Sequence, residues 1–358
     1  MNRIESLVMY IFSFSISSFL FNLSKNRRYN RSLISWIAII GLLVLGGIRE
    51  GIGTDYYGYI NAYFYRMRTS SIFESFSKEY LFLIIVKLSA ILNNYKIMFF
   101  LLNFITLIFI KKAIERNYVR DKGLIIYLYL FIFYLESWNL MRQHVCIAVF
   151  LFSLYYIYTK QILKYSFFIG IFSFMHMSIL VTYPLYFVYN YLINSRKNKK
   201  LKEILIGIGI ASIVFFIFQY EMIINLLGEI IPIFKRYRVY AKEFLDGSLN
   251  LIFIWKLFLL LIVLYNKKKL QKLDGRNRLL IFIVIIDLIL TSIGYQHKFL
   301  KRISLYFYSC YIFIFPQLLE IYNSKRIILK LLIIIITMLF FILQYYILGH
   351  NEVFPYKI

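Results

Sequence analysis

Arginine, histidine and aspartate residues at the edges of long apolar runs are the chemically equipped residues of this chain. In Arg49-Glu50-Gly51-Ile52-Gly53-Thr54-Asp55-Tyr56-Tyr57 a guanidinium and a carboxylate are separated by two glycines and a threonine. Glycine allows the tight turn that would bring the two together. Arg142-Gln143-His144 opens a second apolar stretch, where an arginine meets the exposed N–H groups and positive dipole end of a helix. Such an arginine is unfavourable unless an anion sits beside it. His176 lies between Met175 and Met177, where desolvation favours a neutral imidazole able to take up a proton. The same residue also suits a buried histidine bonded to a carbonyl at a helix bend. Arg238, Lys298 and Arg302 add cations, and Glu79 and Tyr56 add an acceptor and a ring. A guanidinium makes two charge-assisted bonds to phosphate or pyrophosphate at once, so this set suits an anionic headgroup.

The elements that must position these residues are membrane helices. The chain has 358 residues, 61% of them hydrophobic, and a mean hydropathy of +0.70. Leu279 to Ile293 and Leu331 to Leu348 are almost wholly apolar, which excludes the period-two alternation of a barrel strand. The fold class is an all-α polytopic integral membrane protein, read as one domain over 1–358 with no soluble domain. Ile4 to Leu23 lacks a small-residue cleavage signal and reads as a retained helix. Cys146 and Cys310 both fall inside apolar segments, which gives no disulfide framework and no thiolate metal site.

The net charge of +25 would suggest nucleic acid in a soluble protein. Here the basic clusters flank apolar runs, as cytoplasmic loops do, and no nucleic-acid partner is expected. They lie at Lys25 to Arg31, Lys111 to Lys122, Lys160 to Lys164, Arg196 to Lys202, Lys267 to Arg278 and Lys325 to Lys330. Placing all of them inside gives outer termini and about ten to twelve transmembrane or re-entrant helices. Charge parity then requires Tyr80 to Leu92 to be a re-entrant or interfacial helix that returns outward, with Ile97 to Ile110 as the crossing. Residues 165 to 193 must form a bent hairpin with its tip at Met175-His176-Met177. Arg49, Asp55, Glu79, Arg142, His176, Arg238, Lys298, His297 and Arg302 all fall on the outer side, where basic residues run against the orientation bias and need a reason. Tyr56, Tyr57, Tyr59, Tyr63 and Tyr65 form an aromatic cluster suited to sugar stacking. Asp287 sits mid-helix, where an ionisable group suggests either an ion path or a paired structural group.

These pieces resemble, in order and over nearly the whole length, the EpsG-like branch of bacterial polysaccharide polymerases, related in role to the Wzy O-antigen and capsule polymerases. The matching pieces are Arg49-x-Gly51-x-Gly53-Thr54-Asp55-Tyr56, Glu79-Tyr80, Arg142-Gln143, His176-Met177-Ser178, Arg302 to Tyr306-Phe307 with Pro316, and Pro355-Tyr356. The resemblance implies a metal-independent membrane glycosyltransferase with no cofactor, in the cytoplasmic membrane with its cavity facing the periplasm or exterior. It would pass the growing glycan from undecaprenyl pyrophosphate to an incoming lipid-linked repeat unit. Its partners would be those lipid-linked oligosaccharides, the bilayer, a flippase and a chain-length regulator. On that basis Arg49 and Arg142 are expected to clamp the pyrophosphate, with Gln143, Arg238, Lys298, Arg302, Tyr56 and Glu79 binding substrate. Either His176 or Asp55 serves as base. A lipid-linked oligosaccharide flippase, a membrane O-acyltransferase and a proton-coupled transporter built on Asp287 are the competing readings. The one-sided placement of the polar groups and the absence of two equivalent halves favour the polymerase.

Overall fold

The computed structural model describes residues 1–24, 31–72, 79–117, 121–193, 251–294 and 298–358. The basic cluster 196–202, the loop 221–250 with Arg238, and His297 lie outside the described residues. Those described are helical, with no strand among them. Helical spans long and apolar enough to cross a bilayer are Arg3–Leu23, Lys96–Asn117, Leu300–Ile321 and Asn323–Ile347. The protein is a multi-pass helical membrane protein. It divides into two compact units, residues 1–183 with 315–358, and residues 184–314.

In the first unit, α1 (Arg3–Leu23) starts at a capping box, with the Asn2 side chain accepting from the Glu5 amide and the Glu5 carboxylate accepting from the Asn2 amide. One stripe of α1, Ile4, Val8, Phe12 and Phe19, is exposed, while Tyr10, Phe14 and Phe21 are buried. An apolar stripe of that kind faces lipid at no cost, whereas the aromatic stripe packs inward. α2 (Arg31–Ile48) is followed by the 49–55 loop, and short helical pieces continue over Tyr56–Tyr59 (α3), Ile60–Tyr65 and Arg66–Thr69 (α4). Next come α5 (Tyr80–Ile91), α6 (Lys96–Asn117), α7 (Lys122–Tyr129), α8 (Met141–Tyr158) and α9 (Ile162–Ser173). α8 packs chiefly on α6 and is the buried axis of the unit. Only Arg142, Tyr155 and Tyr158 escape full burial along it. A helix apolar on all sides has to be surrounded by others, and Arg142 is the exception at its first turn.

α5 and α9 each have 12 residues, about 18 Å of helix, too short to span a bilayer. α5 returns to the face it left: Glu79 at its start meets Arg142, and Lys96 beyond its end pairs with Glu50 at 3.4 Å. Both ends of α5 thus lie at one end of the unit, the arrangement an interfacial or re-entrant helix requires. α9 turns back at 174–176 into a tight helix, Met177–Thr182, with the Tyr165 hydroxyl donating to the Thr182 carbonyl at 2.7 Å. The chain thus turns back at the expected tip, with residues 165–166 facing 182–183. At the other end of the unit, Asp121 caps α7 and pairs with Lys330 at 2.9 Å and Arg326 at 3.8 Å. Arg116, also at that end, stacks over Tyr155 and Tyr156 at 4.2 and 4.6 Å. Among the described residues of this unit, the basic stretches around Arg116 and Lys325 to Lys330 are thus at the opposite end from Arg49 and Arg142.

In the second unit, helices Leu251–Tyr265, Asn277–Gly294 and Lys298–Tyr308 are joined by a buried ion pair. The Lys256 ammonium donates to Asp287 (2.7 Å), Thr291 (2.9 Å) and Ser304 (3.1 Å) and lies 4.4 Å from the Tyr308 ring centre. Three acceptors satisfy its three protons. Asp287 is therefore a buried, paired group, held by Lys256.

Candidate functional site

The site is built on one carboxylate. Glu79, 1% exposed, stands at the start of α5 with its two oxygens divided between two partners. Oε1 meets His176 Nδ1 at 2.7 Å, and Oε2 takes an ion pair from Arg142 Nη1. An ionised carboxylate only accepts, so Nδ1 carries the hydrogen and the imidazole lone pair falls on Nε2. The side chains of His176 and Arg142 each keep 21% of their surface exposed, in contrast to Glu79. A buried acid thus aims two groups that a substrate can reach.

Local structure explains the convergence. Cys146 follows Arg142 by one turn on the same face of α8. Its one S–H faces the Phe172 and His176 carbonyls, with Sγ 3.3 and 3.6 Å from their oxygens, where the hairpin tip meets that face. The Leu81 amide donates to the Phe174 carbonyl at 3.0 Å, tying the start of α5 to the same tip. His176 has extended backbone, φ −160° and ψ 119°, at the break between the hairpin arms. The guanidinium of Arg142 lies over Phe82 at 4.8 Å and Tyr63 at 5.1 Å, so aromatic faces fix its plane. The anion that an arginine at a helix N-terminus calls for is, in this structure, Glu79 itself.

Arg49 corrects the expected pyrophosphate clamp. It is 0% exposed, and its donors reach the Gly46 carbonyl, the Trp138 carbonyl at 2.9 Å and the Ile52 carbonyl at 3.4 Å. Phe99 and Trp138 rings lie 4.8 and 5.1 Å from it. The carbonyls at the end of α2 carry the negative pole of that helix, which stabilises a cation without a carboxylate. Burial lowers its pKa to about 10, still high enough to stay protonated at neutral pH. Arg49 is a helix-capping anchor, closed to a ligand.

Other expectations change for similar reasons. Asp55 is not a partner of Arg49, and its carboxylate makes no capping bond to the helix it precedes. Gly51 and Gly53 do make the turn, with φ of +61° and +101°. Tyr56 is 1% exposed and stacked on Phe99 at 4.8 Å, so packing occupies the ring expected to meet sugar. Tyr57 and Tyr65, at 63% and 50% exposure, are the members of that cluster that present a surface. Gln143 is 3% exposed and turned into the bundle, away from the Arg142 face. Glu79, expected among substrate contacts, instead positions His176 and Arg142. Lys298 opens helix Lys298–Tyr308 and Arg302 lies within it, in the second unit. Arg238 lies outside the described residues. Sequence reasoning missed Cys146 as the post of the hairpin tip, although its spacing of four from Arg142 was a usable signal. It marked Pro355-Tyr356 in the tail but not the packing of residues 349–358 onto the 49–53 loop.

Comparison with known proteins adds one match. The sequence model of the EpsG family matches residues 32–358, nearly the whole chain. No curated protein and no solved structure matches it.

Proposed function

The chain belongs to the EpsG family, and from that membership we propose that it polymerises lipid-linked oligosaccharide repeat units for a surface polysaccharide. The donor would be a growing glycan on undecaprenyl pyrophosphate, and the acceptor a hydroxyl of an incoming lipid-linked unit. The reaction belongs on the outer face of the cytoplasmic membrane, a side supported by the opposite placement of the basic loops. A flippase that delivers repeat units and a chain-length regulator are the partners the reading calls for.

The observation that carries it is the shared Glu79 carboxylate, which holds a histidine and an arginine side by side at a partly exposed position. In the proposed step the acceptor hydroxyl gives its proton to His176 Nε2, and its oxygen forms the new bond to the anomeric carbon. The anomeric bond to pyrophosphate breaks, and its electron pair leaves on the lipid pyrophosphate. Glu79 stabilises the imidazolium that forms, as a buried carboxylate does for a catalytic histidine elsewhere. Arg142 stabilises charge on the leaving oxygens. His176 is favoured over Asp55 as the base, because among the described residues it has a positioning carboxylate in Glu79 and Asp55 has none.

Purified protein given lipid-linked repeat units should yield a ladder of chain lengths, and His176→Ala should abolish it. A full ladder from His176→Ala made at normal levels would overturn the assignment. Movement of repeat units across proteoliposomes without any ladder would point to a flippase instead.

A further inference from the structure

We infer that residues 349–358 are a positioning strap that sets the place of Arg142 from a distance. This rests on the polymerase reading only for its kinetic test. The tail is no loose end: Val353 is 0% exposed and Tyr356 1%. It is bonded to three parts of the first unit. On α1, the Tyr10 hydroxyl donates to the Val353 carbonyl at 3.0 Å, and the Tyr356 amide donates to Ser6 Oγ at 2.9 Å. On the 45–53 segment, the Tyr356 hydroxyl donates to the Leu45 carbonyl at 2.9 Å. There too, the Glu50 and Gly53 amides donate to the Lys357 and Glu352 carbonyls at 3.1 and 3.3 Å. Third, Asn139 Nδ2 donates to the Asn351 carbonyl at 3.3 Å.

The last two groups of bonds converge on the turn that launches α8. Arg49, held in the loop that the tail pins, donates to the Trp138 carbonyl and reaches Met141 Sδ at 3.5 Å. Trp138 itself lies against Tyr10 and Tyr356, at ring distances of 5.8 and 6.2 Å. Gly53 approaches so closely that a Cβ there would stand 2.3 Å from Asn139 Oδ1. Trp138 and Asn139 are thus gripped from the loop and from the tail, two residues before helix α8 begins to carry Arg142. A shift of a fraction of an ångström at this turn moves the guanidinium relative to Glu79 and His176. Arg49, Asn139 and Tyr356 are therefore positioning residues that act through Arg142.

The test is a double-mutant cycle with Tyr356→Phe and Asn139→Ala, each alone and combined with Arg142→Lys, scored by rate of ladder formation. Acting through Arg142, each should lower kcat by about 10-fold with KM little changed. In the Arg142→Lys background the same changes should cost almost nothing further, because coupled positions are non-additive. An equal fractional loss in both backgrounds, or no loss of kcat in the wild-type background, overturns the strap. Amide hydrogen exchange provides a readout that needs no activity. Tyr356→Phe should speed exchange over residues 49–53 and 138–144 and leave α6 and α9 unchanged; unchanged exchange over 49–53 and 138–144 overturns the inference. If the wild type makes no ladder, the polymerase reading fails and the exchange result alone decides the strap.

Discussion

Glu79 divides its two oxygens between a histidine and an arginine, and the predictions at the residue scale start from that division. Glu79→Gln keeps the shape but loses the charge and can turn its amide toward either partner. Ladder formation should fall by about 10²–10⁴-fold while the protein stays folded, since general-base catalysis contributes on that order. Arg142→Lys should lose most activity, because an ammonium cannot bond Glu79 and a substrate oxygen in one plane; retained activity would separate Arg142 from the chemistry. The sequence displayed these three residues as types, and charge parity placed them on one side. What it did not display was the bonding, because Glu79 lies 63 residues from Arg142 and 97 from His176. Arg49 was misread for a related reason. A charge at the end of an apolar run looks the same in one dimension whether it faces water or turns back to cap the helix it ends.

At the scale of elements, the turn after α2 and the ion pair of the second unit make opposite demands. Gly53 has a φ that L side chains rarely adopt and no room for a Cβ beside Asn139. Gly53→Ala should therefore destabilise the first unit by about 1–3 kcal/mol, seen as a lower thermal midpoint in detergent. Lys256→Met leaves Asp287 buried without its partner and should cost about 3–5 kcal/mol. Adding Asp287→Leu should restore much of the loss, since replacing both halves of a buried pair with apolar groups is close to neutral. If the double variant were as unstable as the single one, the pair would be more than a structural tie. The short helices α5 and α9 were legible from length and charge parity. The Lys256–Asp287 pair was not, since Lys256 is one cation inside an apolar run and its partner stands 31 residues later on another helix.

For the whole molecule, the distribution of charge sets the expected orientation. Asp121, Arg326, Lys330 and Arg116 mark one end of the first unit, and Glu79, Arg142 and His176 the other. A membrane-impermeant maleimide should label Tyr57→Cys in intact cells and should label Lys112→Cys only after the membrane is opened. The reverse pattern would put the site in the cytoplasm. The tail adds a matter of timing. Tyr10 bonds a carbonyl 343 positions later, and the unit it belongs to is interrupted in sequence by residues 184–314. Contacts of such long range are slow to form. While the later helices are still being made, Tyr10 and the carbonyl of Leu45 wait in the membrane without their partners, at the cost of unmet buried hydrogen bonds. A chain that stops short in its later half therefore leaves both groups without these partners, a mark of incompleteness built into the first unit.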